Sequence, residues 1–308
     1  MFKRAPRPGL AGIAILGVLA LAAGVTLLDR HTPAPSQRRS VGSPAPVHGA
    51  FAPEDLRVLH DAEELLIRKC MQEQGFDYWP VPAAPITAAE RFPYVIDNAK
   101  WANENGFGPS DDAVPDDRNT SPTGRYLGTL TPAVREDFTA ALDGTQGGPA
   151  VTVHPPGGTG VIGHSASGCT AHAEGALYGN FPSWFEASTT AGFLHSIVHG
   201  QVIKDPRYLA AQREWSTCMQ NHGYHYPTPG DAGSAYLASG RIHPDHTEVA
   251  VAVTESGCAN RTSLAGTADE LDTKYSADLS PPDQTLQVRY RNLIQEALPR
   301  ATAIIDAG

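Results

Sequence analysis

The sequence predicts a mostly α, disulfide-stabilised helical ectodomain built from two related halves, with one β-hairpin inserted in the first. Three observations carry that expectation. Apolar residues recur at helical spacing between prolines that open helices and glycines that close them. One short stretch occurs twice: Cys70-Met71-Gln72 is followed by Gly75, Tyr78 and Pro80, and Cys218-Met219-Gln220 by Gly223, Tyr226 and Pro227. Each copy is answered by a Ser-Gly-Cys triplet, Ser167-Gly168-Cys169 and Ser256-Gly257-Cys258, which accounts for all four cysteines.

At the N-terminus Lys3, Arg4 and Arg7 precede an uncharged apolar run from Leu10 to Leu28. At 1.5 Å per residue such a helix is about 28 Å long, close to the thickness of a bilayer core. Positive charge in front keeps the N-terminus in the cytoplasm and places the body outside. Residues 1–28 therefore read as a single N-terminal transmembrane anchor, or as a signal peptide cleaved after the small-x-small stretch Ala20-Leu21-Ala22 to release the protein. Leu21-Ala22-Ala23-Gly24 resembles a lipoprotein box with glycine in the cysteine position, which excludes lipidation there. Residues 29–50 hold four prolines and almost no large apolar groups, the composition of a disordered stalk.

Charge is divided unevenly along the chain. Six of the 23 basic residues but only one of the 33 acids precede residue 51, leaving 17 basic against 32 acidic residues beyond it, a net charge of −15. A body so acidic repels phosphate backbones, so no nucleic-acid partner is expected.

The first half, residues 51–204, opens at Pro53 with Glu54 and Asp55 in the first helical turn. Leu56, Leu59, Glu63, Leu66, Ile67, Cys70 and Met71 follow at helical spacing, and Gly75 is placed to end that helix. A short helix is expected from about Pro93 to Glu104, ending at Gly106. Asp111, Asp112, Asp116 and Asp117 fit no EF-hand spacing and read as a solvated loop. Thr131-Pro132 opens a helix that packs Val134, Phe138 and Leu142 before Gly144. The runs Val151–His154 and Thr159–His164 flank a Pro-Gly turn and read as the hairpin. Its Gly158-Thr159-Gly160-Val161-Ile162-Gly163 is a formal GxGxxG, but no helix pattern starts there and no βαβ unit surrounds it. A short helix runs from Cys169 to Leu177, and Ser183 is positioned to cap a longer one.

On that longer helix His195 and His199 stand at i and i+4, a spacing that suits zinc, with His164, His172 or Glu186 as the third ligand. No glutamate follows His195 as the base of a metalloprotease helix would. Amphipathic packing is the plainer reading of the pair. His195, His199 and His172 are the metal candidates of the sequence.

The second half, residues 205–308, starts with Asp205-Pro206, a cap and a first-turn proline. Tyr208, Leu209, Trp215, Cys218 and Met219 repeat the first cysteine helix, which ends at Gly223. His222, His225, His243 and His246 lie within a short span and suit loop and cap positions better than metal. Pro244 is expected to start the next helix through Val249, Val251, Val253 and Cys258, with Leu264, Leu271 and Tyr275 continuing the spacing. Ser280-Pro281 opens the last helix.

An even cysteine count in an exported chain argues for disulfides. Of three possible pairings the repeat favours Cys70–Cys169 and Cys218–Cys258, with Cys70–Cys218 the main rival. The run Asp205-Pro206-Arg207 through Trp215, Cys218-Met219, Gly223 and Tyr224 resembles a set of actinobacterial secreted and lipoprotein-like envelope proteins with a Trp-x2-Cys-Met-x3-Gly-Tyr motif. So do Glu248–Ala252 with Cys258, and Gly168-Cys169 with Leu177-Tyr178-Gly179. The resemblance implies an exported or anchored envelope protein of unassigned activity and supplies no catalytic residues.

The chain holds no G-x-S-x-G elbow, no H-E-x-x-H motif and no complete cofactor motif, so no cofactor is expected. The expected function is a non-catalytic extracytoplasmic envelope protein, held at the cell membrane by its N-terminal segment or secreted, that presents its helical domain to an envelope or secreted protein partner. The alternatives are a metal-dependent hydrolase and a histidine-based metal or pH sensor.

Overall fold

α1 (Pro53–Glu73) starts with a proline whose missing N–H costs nothing at a helix N-terminus, and Glu54 and Asp55 face the positive end of its dipole. Leu59, Ala62, Ile67 and Met71 form its buried face. The helix closes at Gly75, which takes φ +84°, a left-handed conformation that glycine adopts without a Cβ penalty. The Phe76 N–H then reaches back to the Met71 carbonyl at 3.0 Å. α8 (Pro206–Asn221) repeats this ending: Gly223 takes φ +86° and the Tyr224 N–H meets the Met219 carbonyl at 3.0 Å. Met71 and Met219 are both wholly buried.

The computed structural model describes residues 51–109, 121–158, 160–237 and 244–307, all within the unit Gly42–Gly308. The expected anchor or signal segment, the stalk, the four aspartates of 111–117, Thr159 and His243 lie outside the described residues. Among the described residues no helix is long and apolar enough to cross a membrane.

The expected fold class is observed: among the described residues helices dominate, with one two-stranded antiparallel hairpin of β1 (Ala150–Val153) and β2 (Ile162–Ser165). Its register pairs Val151 with His164 and Val153 with Ile162. Both favoured disulfides are present. Cys70 on α1 joins Cys169 at the start of α6 (Cys169–Tyr178), and Cys218 on α8 joins Cys258 on α10 (His246–Arg261).

The two Ser-Gly-Cys triplets sit in different backbone settings. Gly168 precedes α6 at φ +94°, where an added Cβ would meet the Leu142 carbonyl oxygen at 2.7 Å. Gly257 lies inside α10, and an added Cβ there would meet nothing within 4 Å. The repeat is closely kept at the helix ends and loosely kept at the segments they are tied to.

Several elements begin elsewhere than the local pattern suggests. α3 (Ala99–Asn105) starts after Asn98, whose side chain accepts the Trp101 N–H at 3.0 Å, and not near Pro93. The stretch before it is held instead by α10, where Glu255 accepts the Ile96 N–H at 3.2 Å, and just after α3 Glu248 accepts the Phe107 N–H at 3.0 Å. That approach requires Gly106, since a Cβ there would meet Glu248 Oε1 at 2.6 Å. α10 itself starts after Asp245, which caps the Thr247 and Glu248 N–H groups, rather than at Pro244. α7 (Phe181–Val202) is capped by Asn180, with the Ser183 N–H as donor. α5 (Pro132–Asp143) buries Phe138 but leaves Val134 exposed. Ser263, at φ +55°, breaks the spacing between α10 and α11 (Leu264–Ala277). Three further helices, α2 (Ala88–Arg91), α4 (Pro122–Thr129) and α9 (Pro229–Leu237), arise in stretches without clear periodicity.

Packing crosses the division at residue 204. α12 (Pro281–Ala307) returns to pack along α1, α6 and α7, and α3 packs on α10. The largest apolar cluster joins Val95, Ile96 and Phe107 to Trp215, Met219 and Leu264. A second joins Leu59, Leu177 and Trp184 to Ile294 and Ala297. Truncating any of the fully buried leucines to alanine is expected to cost about 2–5 kcal/mol.

Candidate functional site

The segment after α1 carries the chain's exposed tryptophan. Tyr78 and Pro80 belong to the repeated motif, and Trp79 stands between them with 41% of its surface exposed. Its neighbour Val81 is 52% exposed, and Leu56, one turn before His60 on α1, is 42% exposed. Of the three, tryptophan is the residue type that most often anchors protein interfaces.

What distinguishes this ledge is how firmly its backbone is held. Glu64, buried on α1, accepts the Tyr78 hydroxyl at 2.9 Å and the Val81 N–H at 2.8 Å through one oxygen. Burial and that carboxyl push the Tyr78 hydroxyl well above its ordinary range, so it remains a donor. The His60 Nε2–H donates to the Val81 carbonyl at 2.9 Å. Thr123 on α4 clips the middle residue: its hydroxyl accepts the Trp79 N–H at 3.1 Å and donates to the Trp79 carbonyl at 3.2 Å. Pro80 has no N–H to satisfy. Tyr78, Trp79 and Val81 are thus each fixed by hydrogen bonds, while the Trp79 and Val81 side chains point outward.

The indole is also backed by rings. Trp79 meets Tyr126 edge-on with centroids 5.9 Å apart, Tyr126 meets Phe138 at 6.2 Å, and Phe138 meets Phe76 at 5.4 Å. This aromatic column runs from the core cluster around Met71 and Cys169 to the surface. The Cys70–Cys169 bond secures the same end of α1. A contact surface preorganised in this way loses little conformational entropy when a partner covers it. Trp79 is not among the candidates that motif and spacing mark in the sequence; its signal there is a tryptophan set within the internal repeat, between Tyr78 and Pro80.

The histidine candidates do not assemble. His199 stacks on Tyr94 with ring centroids 5.0 Å apart and an interplanar angle of 10°, and its Nε2–H donates to the Pro93 carbonyl at 3.2 Å. The His195 imidazole is held below the ordinary histidine range, first by desolvation and then by His199. His172 is exposed on α6. Of the suggested third ligands, His164 lies against Phe181 and Phe185, and Glu186 pairs with Arg289 at 3.0 Å. Among the described residues no group of three close ligand atoms includes His172, His195 or His199; the one such group is Cys218, His222 and Cys258.

Burial raises the carboxyl groups of Glu63 and Glu174 in one place and of Glu255 in another. Glu63 on α1 is pushed up to about 8 by burial and then by Glu174 and Glu64. Glu174 on α6 is also raised by burial, and one of its oxygens accepts the Trp184 indole N–H at 3.1 Å. Glu255, 2% exposed, is pushed up to about 8 by burial, against the lowering effect of the Ile96 N–H. A shallow surface depression of about 480 Å³ lies where α7 meets α8, lined by Ser196, Gly200, Lys204, Asp205 and Tyr275 among others. There the Tyr275 hydroxyl is already spent on Asp205 at 2.8 Å.

No protein-family model, curated protein or solved structure matches the chain.

Proposed function

We propose that this is a non-catalytic extracytoplasmic envelope protein whose disulfide-bonded helical domain binds an envelope or secreted protein partner through the Trp79 ledge. The observation that carries this reading is Trp79 itself: an exposed indole with both backbone polar groups clipped by one threonine and its ring backed by Tyr126. Tryptophan is among the residues that most often dominate interface energetics, and a rigid presentation favours binding over incidental exposure.

Two disulfides support an oxidising compartment. The apolar run from Leu10 to Leu28 supplies either a membrane anchor or an export signal. The net charge of −15 beyond residue 50 favours a neutral or basic partner surface. The resemblance to actinobacterial secreted envelope proteins points the same way.

The test is capture of partners from the envelope of the native host by the full chain and by Trp79→Ala. The expected result is one or more proteins retained by the native chain and lost from the variant, with helical circular dichroism unchanged. Equal retention by both would overturn the assignment of the ledge. Mass measurement of the mature protein settles the anchor: retention of residues 10–28 supports it, and a mass beginning after Ala22 supports release.

A further inference from the structure

We propose that the Cys218–Cys258 pair has a second state, in which the reduced sulfurs and His222 form a three-ligand site for Zn2+. The ligand atoms of Cys218, His222 and Cys258 all lie within 4.8 Å of one another. His222 follows Cys218 by one helical turn at the C-cap of α8, and its Nδ1–H donates to the Cys218 carbonyl at 2.8 Å. That bond selects the tautomer with a lone pair on Nε2 and restrains the ring, as a carbonyl behind a metal-binding histidine commonly does. The cysteines are buried and His222 is exposed, so the imidazole forms the solvent side of the group.

A fourth residue contributes charge. Arg261, one turn beyond Cys258 on α10, brings Nη1 to 3.6 Å from Cys218 Sγ, and a neighbouring cation favours sulfur in its thiolate form. Two cysteines and one histidine are a known zinc donor set when the fourth position is left to water. To hold the ion the two sulfurs must part to about 3.8 Å, the span of two 2.3 Å bonds at a tetrahedral angle. Side-chain rotation supplies this without separating α8 from α10, which the apolar cluster around Trp215, Met219 and Leu264 holds together.

The internal repeat provides a control. In the first half Gln74 occupies the place relative to Cys70 that His222 occupies relative to Cys218. A glutamine amide is a poor zinc ligand beside an imidazole, so the Cys70–Cys169 pair has no third donor of this kind.

The chemistry balances with an external dithiol as reductant. The dithiol gives two electrons and two protons to the Cys218–Cys258 bond and becomes a cyclic disulfide. Zn2+ then displaces the two thiol protons, which leave to solvent, and binds the two thiolates and the neutral imidazole. In the reverse direction a small-molecule disulfide takes the two electrons, the Cys218–Cys258 bond reforms, and the ion is expelled.

The experiment uses the full chain, reduced with dithiothreitol in the presence of chelator, freed of both by desalting without oxygen, and titrated with Co2+ and then Zn2+. The expected result is a thiolate-to-cobalt charge-transfer band saturating at one ion per chain, displaced by Zn2+ and absent from the oxidised protein. His222→Gln is expected to weaken binding at least tenfold. Alkylation of the reduced native chain, read by peptide mass, should show Zn2+ protecting Cys218 and Cys258 but not Cys70 or Cys169. No band in reduced protein that keeps its helical circular dichroism overturns the proposal, as does undiminished binding by His222→Gln or equal protection of all four cysteines. Loss of the helical signal on reduction also overturns it, because the site then has no folded state to occupy.

Discussion

The carboxyl of Glu255 accepts the Ile96 N–H at 3.2 Å through one oxygen, while its other oxygen is buried without a hydrogen-bond partner. An ionised carboxylate in that position would leave charge unsolvated, whereas a neutral acid avoids this cost. Glu255 thereby joins the extended stretch before α3 to the cysteine helix α10, linking an early part of the chain to a late one.

The raised acids set a pH dependence of stability. Glu63 and Glu255 hold their protons to about pH 8 when folded, against an ordinary value of 4.5. Between those values the folded state binds more protons than the unfolded chain, so stability falls as pH rises. The contribution is whole below about pH 4.5 and is lost as pH passes through about 8. Each group contributes up to about 1.4 kcal/mol per pH unit in that window. Thermal unfolding of the native chain should show a melting temperature lower at pH 8.5 than at pH 5.5, and Glu255→Gln should flatten the slope. A melting temperature that rises over this range contradicts the expectation.

The paired glycines predict a graded series. Gly75→Ala and Gly223→Ala meet no neighbouring atoms, so each should cost only the left-handed backbone strain, about 1–2 kcal/mol. Gly168→Ala combines that strain with a collision against the Leu142 carbonyl and should be clearly worse than either. Urea unfolding of the three variants measures the order directly.

The disulfides span sequence separations of 99 and 40 residues. In the chain-entropy model, loops of this size contribute about 4–5 kcal/mol each. Replacing Cys70 and Cys169 together by serine should therefore lower the urea midpoint substantially. Peptide mapping without reductant should recover Cys70 linked to Cys169, and a Cys70–Cys218 peptide would refute the pairing.

Thr123→Val separates the ledge's rigidity from its contacts. The variant removes the hydroxyl clip on Trp79 and keeps the indole, with an expected stability loss of about 1 kcal/mol. If preorganisation matters, partner capture should weaken several-fold through Thr123→Val, measured beside the larger loss in Trp79→Ala.

Helical periodicity, prolines at helix starts and glycines at helix ends made the main helices legible, because these signals act over a few residues. The duplicated Cys-Met stretch likewise specified two equal helix ends, seen in Gly75 and Gly223 with φ of +84° and +86°. Local composition also shows the apolar N-terminal run, the acidic body and the even cysteine count. What tertiary structure decided lies at longer range. That Asn98 rather than Pro93 starts a helix depends on Glu255, 159 residues from Ile96, taking up the extended backbone. That Trp79 is held outward depends on Thr123, 44 residues away, and on Glu64 and His60 of α1. That His222 joins the cysteines while His195 and His199 join no such group depends on how α8 meets α10. Helix spacing places side chains on one face of one helix; which faces meet is set by packing across the whole chain, and the candidate sites arise where they meet.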